Sequence, residues 1–386
     1  GRLSMPHIAL STANILQDAL AQLQRYHQTF GALFPAHGEG QTYKLTPNQN
    51  WLASFWSGLL WLGYAATGDK ALRTHAESLL PSYSARLDQR IRLNHDLGFL
   101  FTLAGRTQHD LTGDNQSMAL ALRGADELLA RYNPSGRYIQ AWHEVGDADE
   151  SGRFIIDSML NIPLLYWVAA ITNDSQYSEV ATAHAETSQR YLVREDGSTY
   201  HTYILNPETG EPQGPRTHQG YSDDSLWARG QGWAITGFAI AAQWTGRADF
   251  LQTAERAAAR FMAEWPPDTI PLWDLRLPPE APQYPDSSAA AIAASGLLRL
   301  AHLAADGPRY QTWAEQLIQM MIRDCFERDP EAHGLLRHGT LHAIKGWGVD
   351  TYQIFGDYFF LESLLMLHGR APDFWGPIDN QERTTA

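Results

Sequence analysis

The chain has 386 residues and one cysteine, Cys325, so neither an internal disulfide nor a cysteine-built zinc site can form. Charge is scarce at 19%, and basic residues are the scarcer sign. Against 43 Asp and Glu stand 29 Lys and Arg, a formal net charge of −14. That balance excludes nucleic acid as a partner, because phosphate neutralisation needs a basic surface. It also means that an anionic ligand has to be received by local donors, since the overall field repels it. No run of 18 apolar residues occurs, so no membrane span is expected. Residues 1–7 lack the pattern of a signal peptide, and cytoplasm or periplasm is the expected location. There is no His-Glu-x-x-His spacing, no Gly-rich phosphate loop and no nucleophile elbow, so neither metal nor cofactor is expected. Nothing in the sequence marks an oligomeric state.

What is present is apolar and aromatic: 44% hydrophobic residues, 11% aromatics and 13 Trp. Flat apolar faces of that kind suit sugar rings, although a single Trp serves a core equally well. The apolar residues are organised in an irregular repeat. Stretches apolar on most sides lie at 55–66, 97–105, 162–171, 233–244 and 290–305. Each is followed by a short turn, among them Thr67-Gly68-Asp69, Thr112-Gly113-Asp114, Thr172-Asn173-Asp174, Thr245-Gly246-Arg247 and Asp306-Gly307-Pro308. One-sided, amphipathic stretches follow at 71–80, 118–130, 177–192, 250–265 and 310–326. Helices apolar all round belong inside, and one-sided helices belong outside. A sixth apolar stretch at 352–368 has no partner after it, and an amphipathic stretch at 8–30 has none before it. Pairing those ends closes a ring. The expected fold is all-α, an (α/α)6 barrel of six helical hairpins, with residues 1–386 forming one catalytic domain.

The connections from outer to inner helices are long, at 31–54, 81–96, 131–161, 193–232, 266–288 and 327–351, and all emerge at one end. Long loops on a rigid scaffold are where sites sit. Two carboxylates fall there. Asp96 stands at the start of one inner helix, a place also suited to a helix cap. Asp157 lies among Ile155, Ile156 and Met159 at the start of the next. Burial there raises a carboxyl's pKa and makes it a usable acid, and paired carboxylates are the usual equipment of glycoside hydrolysis. Trp51, Trp142, Trp227, Trp233 and Trp347 fall at the same end, and His201 and His218 lie in the longest loop. In the segment from Ser225 to Trp233, Arg229 sits between two Trp and two Gly, as a two-point carboxylate receptor would.

At these residues the chain resembles the unsaturated glucuronyl hydrolases, glycoside hydrolase family 88. The resemblance runs from Trp51 to Glu362. It is most specific at His95-Asp96-Leu97-Gly98-Phe99, at the segment from Ile155 through Asp157 to Leu165, and at Trp227-Ala228-Arg229-Gly230-Gln231. It implies the same (α/α)6 barrel and an unusual reaction. The substrate is a lyase-generated oligosaccharide ending in a 4,5-unsaturated uronic acid, whose vinyl ether is hydrated until the sugar falls away. Asp157 matches the acid/base position and Asp96 the second essential aspartate. Trp51, Trp142 and His201 match substrate-contacting positions; Gln219, Arg229 and Trp233 match the part that receives the uronate carboxylate, and His218 precedes Gln219 as in relatives. Leu52-Ala53-Ser54 departs from the family's usual Thr-Asn-Gly-like stretch. Unsaturated rhamnogalacturonyl hydrolases share this logic. Sugar 2-epimerases use the same barrel with a histidine pair, here His201 and His218. The parent polysaccharide has no signature in the sequence.

Overall fold

The computed structural model describes residues 10–378. The first two residues of the stretch expected at 8–30 lie outside that range, as do both ends of the 1–386 domain. Inner helices α2 (Ala53–Thr67), α4–α5 (Leu97–Phe101 and Thr107–Thr112, joined by a wider π turn at 102–106), α7 (Pro163–Thr172), α9 (Ala228–Thr245), α11 (Ser287–Leu303) and α13 (Ile354–Leu367) form a ring. The ring closes where α13 packs on α2. Around it lie α1 (Thr12–Tyr26), α3 (Lys70–Asp88), α6 (Asn115–Leu129), α8 (Ser175–Tyr191), α10 (Ala248–Glu264) and α12 (Gly307–Asp324). This is the (α/α)6 barrel that the repeat implies. Among the described residues no helix is long and apolar enough to cross a membrane.

The short turns are built alike. Gly68, Gly113, Asn173 and Gly246 each take a left-handed φ between 56° and 74°, ending a helix without strain for glycine or asparagine. The preceding Thr67, Thr112, Thr172 and Thr245 hydrogen-bond the carbonyl four residues back and accept the N–H two residues on. Asp69, Asp114 and Asp174 then cap the next helix. The fifth turn differs from expectation. Gly307 is not left-handed; it is small because a Cβ there would meet the Ala301 carbonyl at 2.3 Å.

Two boundaries also differ. The α3 helix runs through Pro81 to Asp88, because Leu79, Tyr83 and Leu87 pack into the core on either side of it. That burial offsets the roughly 3 kcal/mol a helical proline costs. The α9 helix begins at Ala228, so Arg229, Gln231 and Trp233 are helical core residues and not loop residues. Its glycines mark close packing: a Cβ on Gly230 would meet the Trp227 ring at 2.7 Å.

The long loops carry short strands that the helical repeat did not announce. A hairpin joins β1 (Phe34–Glu39) to β2 (Thr42–Thr46), and a two-residue ladder joins β3 (Tyr132–Asn133) to β4 (Tyr138–Ile139). Most consequential is the three-stranded sheet of β5 (Arg153–Ile155), β6 (Thr202–Leu205) and β7 (Pro212–Arg216). It pairs Ile155 with Thr202 and stitches the loop of Asp157 to the loop of His201.

The two inner-helix starts that carry Asp96 and Asp157 touch directly. The Phe99 N–H donates to Asn161 Oδ1 at 2.7 Å, and a Cβ on Gly98 would stand 2.2 Å from the Asn161 backbone. Gly98→Ala forces these elements apart. Overpacking of this kind costs about 1–3 kcal/mol, so we expect a lower Tm and a loss of activity. An unchanged Tm in thermal unfolding would show that the contact does not exist.

Candidate active site

A cavity of about 340 Å³ opens at the loop end of the barrel. Its walls come from five of the six long loops, through residues that include Trp51, Asn94, Asp96, Trp142, Asp157, His201, His218, Gln219 and His342. Larger grooves of about 900 and 800 Å³ lie elsewhere, one against α7, α8 and the end of α9, the other between α3 and α5–α6. They lack paired buried carboxylates, whereas the smaller cavity is lined by both Asp96 and Asp157.

Asp96 is 7% exposed and does not cap its helix; its own N–H is held by Asn94 Oδ1 at 2.8 Å. The carboxylate is therefore free of the structural duty that its position suggested. Its Oδ1 accepts a long 3.4 Å hydrogen bond from Asn161 Nδ2 and lies 3.5 Å from His95 Nε2. His95 is oriented from its other nitrogen by Ser158 Oγ at 2.5 Å. Burial, then the negative charge of Asp157, pushes the Asp96 carboxyl up to about 8.

Asp157 sits in a single 3₁₀ turn, Ile156–Leu160, between β5 and α7. Burial pushes its carboxyl up to about 7, against the opposing pull of the Arg229 charge. Its Oδ1 is buried and has no hydrogen-bond partner. His201 Nε2 faces that oxygen from 3.7 Å, too far for a hydrogen bond. The His201 tautomer follows from its other nitrogen: Nδ1 accepts the backbone N–H groups of His218 at 3.0 Å and Gln219 at 3.2 Å. Nε2 therefore carries the proton. Burial holds the His201 imidazole well below its usual pKa, so it is a neutral donor aimed toward Asp157.

A raised pKa does not by itself mark the site. Asp357 is also pushed up to about 7 by burial, yet Tyr43 Oη and the N–H groups of Leu335 and Leu336 saturate it. Asp274 is buried and bonded to Tyr221 N, Ser225 Oγ, Leu226 N and Arg276 N. Asp157 differs because one of its oxygens has no partner and its side chain lines a cavity.

The structure corrects two expected contacts. Arg229 is fully buried and does not line the cavity. Its guanidinium is sandwiched between the Trp227 and Phe355 rings, 4.6 and 4.8 Å from their centroids. Its donors go to the Thr340 and Leu341 carbonyls, to Asp286 and to Gln219 Oε1. A guanidinium only donates, so it turns the Gln219 amide until Nε2 is the end left for a ligand. Arg229 thus works through Gln219 and through its field on Asp157. Trp233 is likewise core, packed on Phe99 and Phe359. Both were misplaced because α9 starts earlier than their glycine-rich segment suggests. Trp227 is buried too, stacked 4.2 Å from His201.

The other expected residues meet in the cavity. Trp51 is half-buried against Phe355, and Trp142 stands edge-on to His218 at 4.8 Å. Trp347 is 53% exposed at the rim. Sequence reasoning did not single out His37, Asn50, Arg92 or His342, which also line the wall. Their only signal was membership of the long loops.

A closed helical ring whose loop end brings two largely buried carboxylates to one cavity has the paired-carboxylate equipment of a glycoside hydrolase. Comparison with known proteins makes this specific. The model of Glycosyl Hydrolase Family 88 matches residues 26–359. The chain is 42% identical over 365 residues to the unsaturated glucuronyl hydrolase of Bacillus sp. (strain GL1), covering 93% of this chain and 97% of that protein. It is 35% identical to an unsaturated chondroitin disaccharide hydrolase of Streptococcus pyogenes serotype M1, over 93% and 92% of the two chains. The crystal structure of the Bacillus sp. GL1 enzyme superposes with a TM-score of 0.92 at 40% identity, over 96% of this chain and 100% of that one. The chain belongs to Glycosyl Hydrolase Family 88.

Two outcomes test this geometry. Both site carboxyls hold protons more tightly folded than unfolded, so the stability they contribute is full below about pH 4 and is lost as pH rises through 7 to 8. Asp96→Asn removes its own share of that loss, and the Tm of the variant relative to the parent should rise from pH 5.5 to pH 8; a constant gap contradicts the assignment. Arg229→Met should lower Tm markedly, because it leaves Asp286 Oδ2 and the Thr340 and Leu341 carbonyls without this donor. A variant with parental Tm and raised KM alone would restore Arg229 as a direct ligand.

Proposed function

We propose that Asp157 is the general acid and base of this site and that Asp96 is its partner, acting on a terminal 4,5-unsaturated uronic acid. The observation that carries this reading is that Asp157, with a buried and unpartnered Oδ1, lines the same cavity as a second desolvated carboxylate, Asp96. The enzyme releases the unsaturated uronate from lyase-generated oligosaccharides by hydrating its C4=C5 vinyl ether. Two like charges in one dry pocket cannot both ionise near neutrality, so the pair keeps a proton there. Asp157 delivers it to C4, and positive charge develops at C5 and the ring oxygen. Water adds at C5 as Asp157, now a carboxylate, takes a proton from it. The C5 hemiketal opens, and the former anomeric carbon releases the leaving sugar. One water is consumed, and the acid is regenerated.

The remaining roles follow from position. Asp96 addresses ring hydroxyls, held from behind by Asn161 Nδ2. His201 Nε2–H steadies the carboxylate form of Asp157, and Gln219 Nε2 receives the uronate carboxylate. Trp51 and Trp142 supply apolar faces for the ring, with His218 holding Trp142 edge-on. We take the whole ring as one catalytic domain. A 2-epimerase would need His201 to exchange protons, but two backbone amides occupy its Nδ1.

The enzyme should bleach the near-ultraviolet absorbance of the conjugated double bond while leaving the saturated glucuronide intact. In D2O the product should carry one carbon-bound deuterium at C4. Release of the sugar with the chromophore retained rejects hydration. Asp157→Asn should lower kcat by roughly 10²-fold or more with KM little changed; near-normal kcat in the folded variant would remove Asp157 from this role.

A further inference from the structure

The cavity that faces an anionic substrate has little positive charge of its own. Of its five histidines, four, His95, His201, His218 and His342, are held below their usual pKa by burial. Arg229 and Arg153 lie outside the lining, the first under Gln219, the second against Trp142 and Glu150. Lys345 packs over the Trp347 ring at 4.5 Å and does not line the wall either. Among the described lining residues, Arg92 alone carries a permanent positive charge.

Arg92 is presented in an unusual way. Its backbone takes φ +46°, the left-handed region that a non-glycine residue adopts at a cost and that clusters at ligand sites. The strain is held from beneath by Arg86, which is 1% exposed. Arg86 donates to Asn48 Oδ1 at 3.1 Å and to the carbonyls of Asn50 at 2.6 Å, Ile91 at 3.3 Å and Arg92 at 3.2 Å. One buried guanidinium therefore staples the loop that carries Trp51 to the loop that carries Arg92 and Asp96. The Arg92 side chain itself is exposed and makes no hydrogen bond or ion pair among the described residues. An arginine bound to nothing, on a strained and stapled backbone, at the mouth of a catalytic cavity in a chain of net charge −14, is placed to meet a ligand.

We infer that Arg92 forms an anion subsite at the mouth, receiving an acidic substituent, sulfate or carboxylate, on the sugar that leaves. This rests on the hydration reading above, which seats the terminal uronate against the buried aspartates and so turns the leaving sugar toward the exposed rim. It gives the wall at Arg92 a specificity role distinct from the uronate carboxylate at Gln219.

The test compares two unsaturated disaccharides that differ only in a sulfate on the leaving N-acetylhexosamine. In Arg92→Gln, the ratio of kcat/KM for the sulfated over the neutral substrate should fall about threefold to tenfold, through KM, as expected for one solvent-screened charge-assisted contact. Arg92→Lys should keep part of the ratio, and raising salt should bring the parent's ratio toward the variant's. Glutamine bears the same left-handed strain as arginine, so the change isolates charge. A ratio unaltered by Arg92→Gln overturns the subsite, as does an equal loss on both substrates, which would place Arg92 on the uronate carboxylate. Failure of the parent to bleach either substrate overturns the hydration reading and this inference with it, and is seen before any variant is made.

Discussion

Two carboxylates held out of water in one cavity govern this structure. Each raises its proton affinity by burial, and the charge of Asp157 raises that of Asp96 further. A fold pays for such a pair in stability at neutral pH, and the surrounding residues are arranged to keep it unsatisfied. Buried Asp274 and Asp357 each have a full set of donors. Asp157 has a bare oxygen, and His201, its nearest donor, is held 3.7 Å away by two backbone amides. What distinguishes the site is a hydrogen-bond deficit at a cavity wall, not a shifted pKa.

The ring makes that deficit possible. Short threonine-capped turns close one end tightly, which leaves the other end free for long connections. Those connections are far from loose. The β5–β6–β7 sheet ties the Asp157 loop to the His201 loop, Asn161 ties the Asp157 turn to the Asp96 helix, and Arg229 ties Gln219 to Thr340 and Leu341. Arg86 does the same for the Trp51 and Arg92 walls. Two buried arginines thus act as interior braces between loops, a use suited to a planar fork with five donors.

The ring was legible because periodicity reports burial. Six all-apolar stretches and the Thr-Gly-Asp turns between them place the inner and outer helices to within a few residues. Asp96 and Asp157 were legible as carboxylates out of keeping with their apolar neighbours. The Ser225–Trp233 segment misled because glycine has two uses: Gly230 and Gly232 looked like a ligand-hugging loop, yet they let α9 pack closely on Trp227 and Ile292. Arg229 and Trp233 consequently moved from the site into the core. Pro81 hid the last turns of α3 for the converse reason, since local propensity there yields to burial. The short strands and the wall residues Arg92 and His342 left no trace, because they depend on contacts between loops far apart in sequence.

The most direct test of the central claim is a titration of the two carboxyls themselves. With 13C-labelled aspartate, assigned by comparison with Asp96→Asn and Asp157→Asn, the carboxyl resonances can be followed from pH 4 to pH 9. The structure predicts that the pair retains a proton to near neutrality, with midpoints about 7 and about 8. It further predicts that removing Asp157 lowers the midpoint of Asp96, whose proton affinity it raises. Both carboxyls titrating independently between about 3 and 5, the ordinary range for aspartate, would contradict the account.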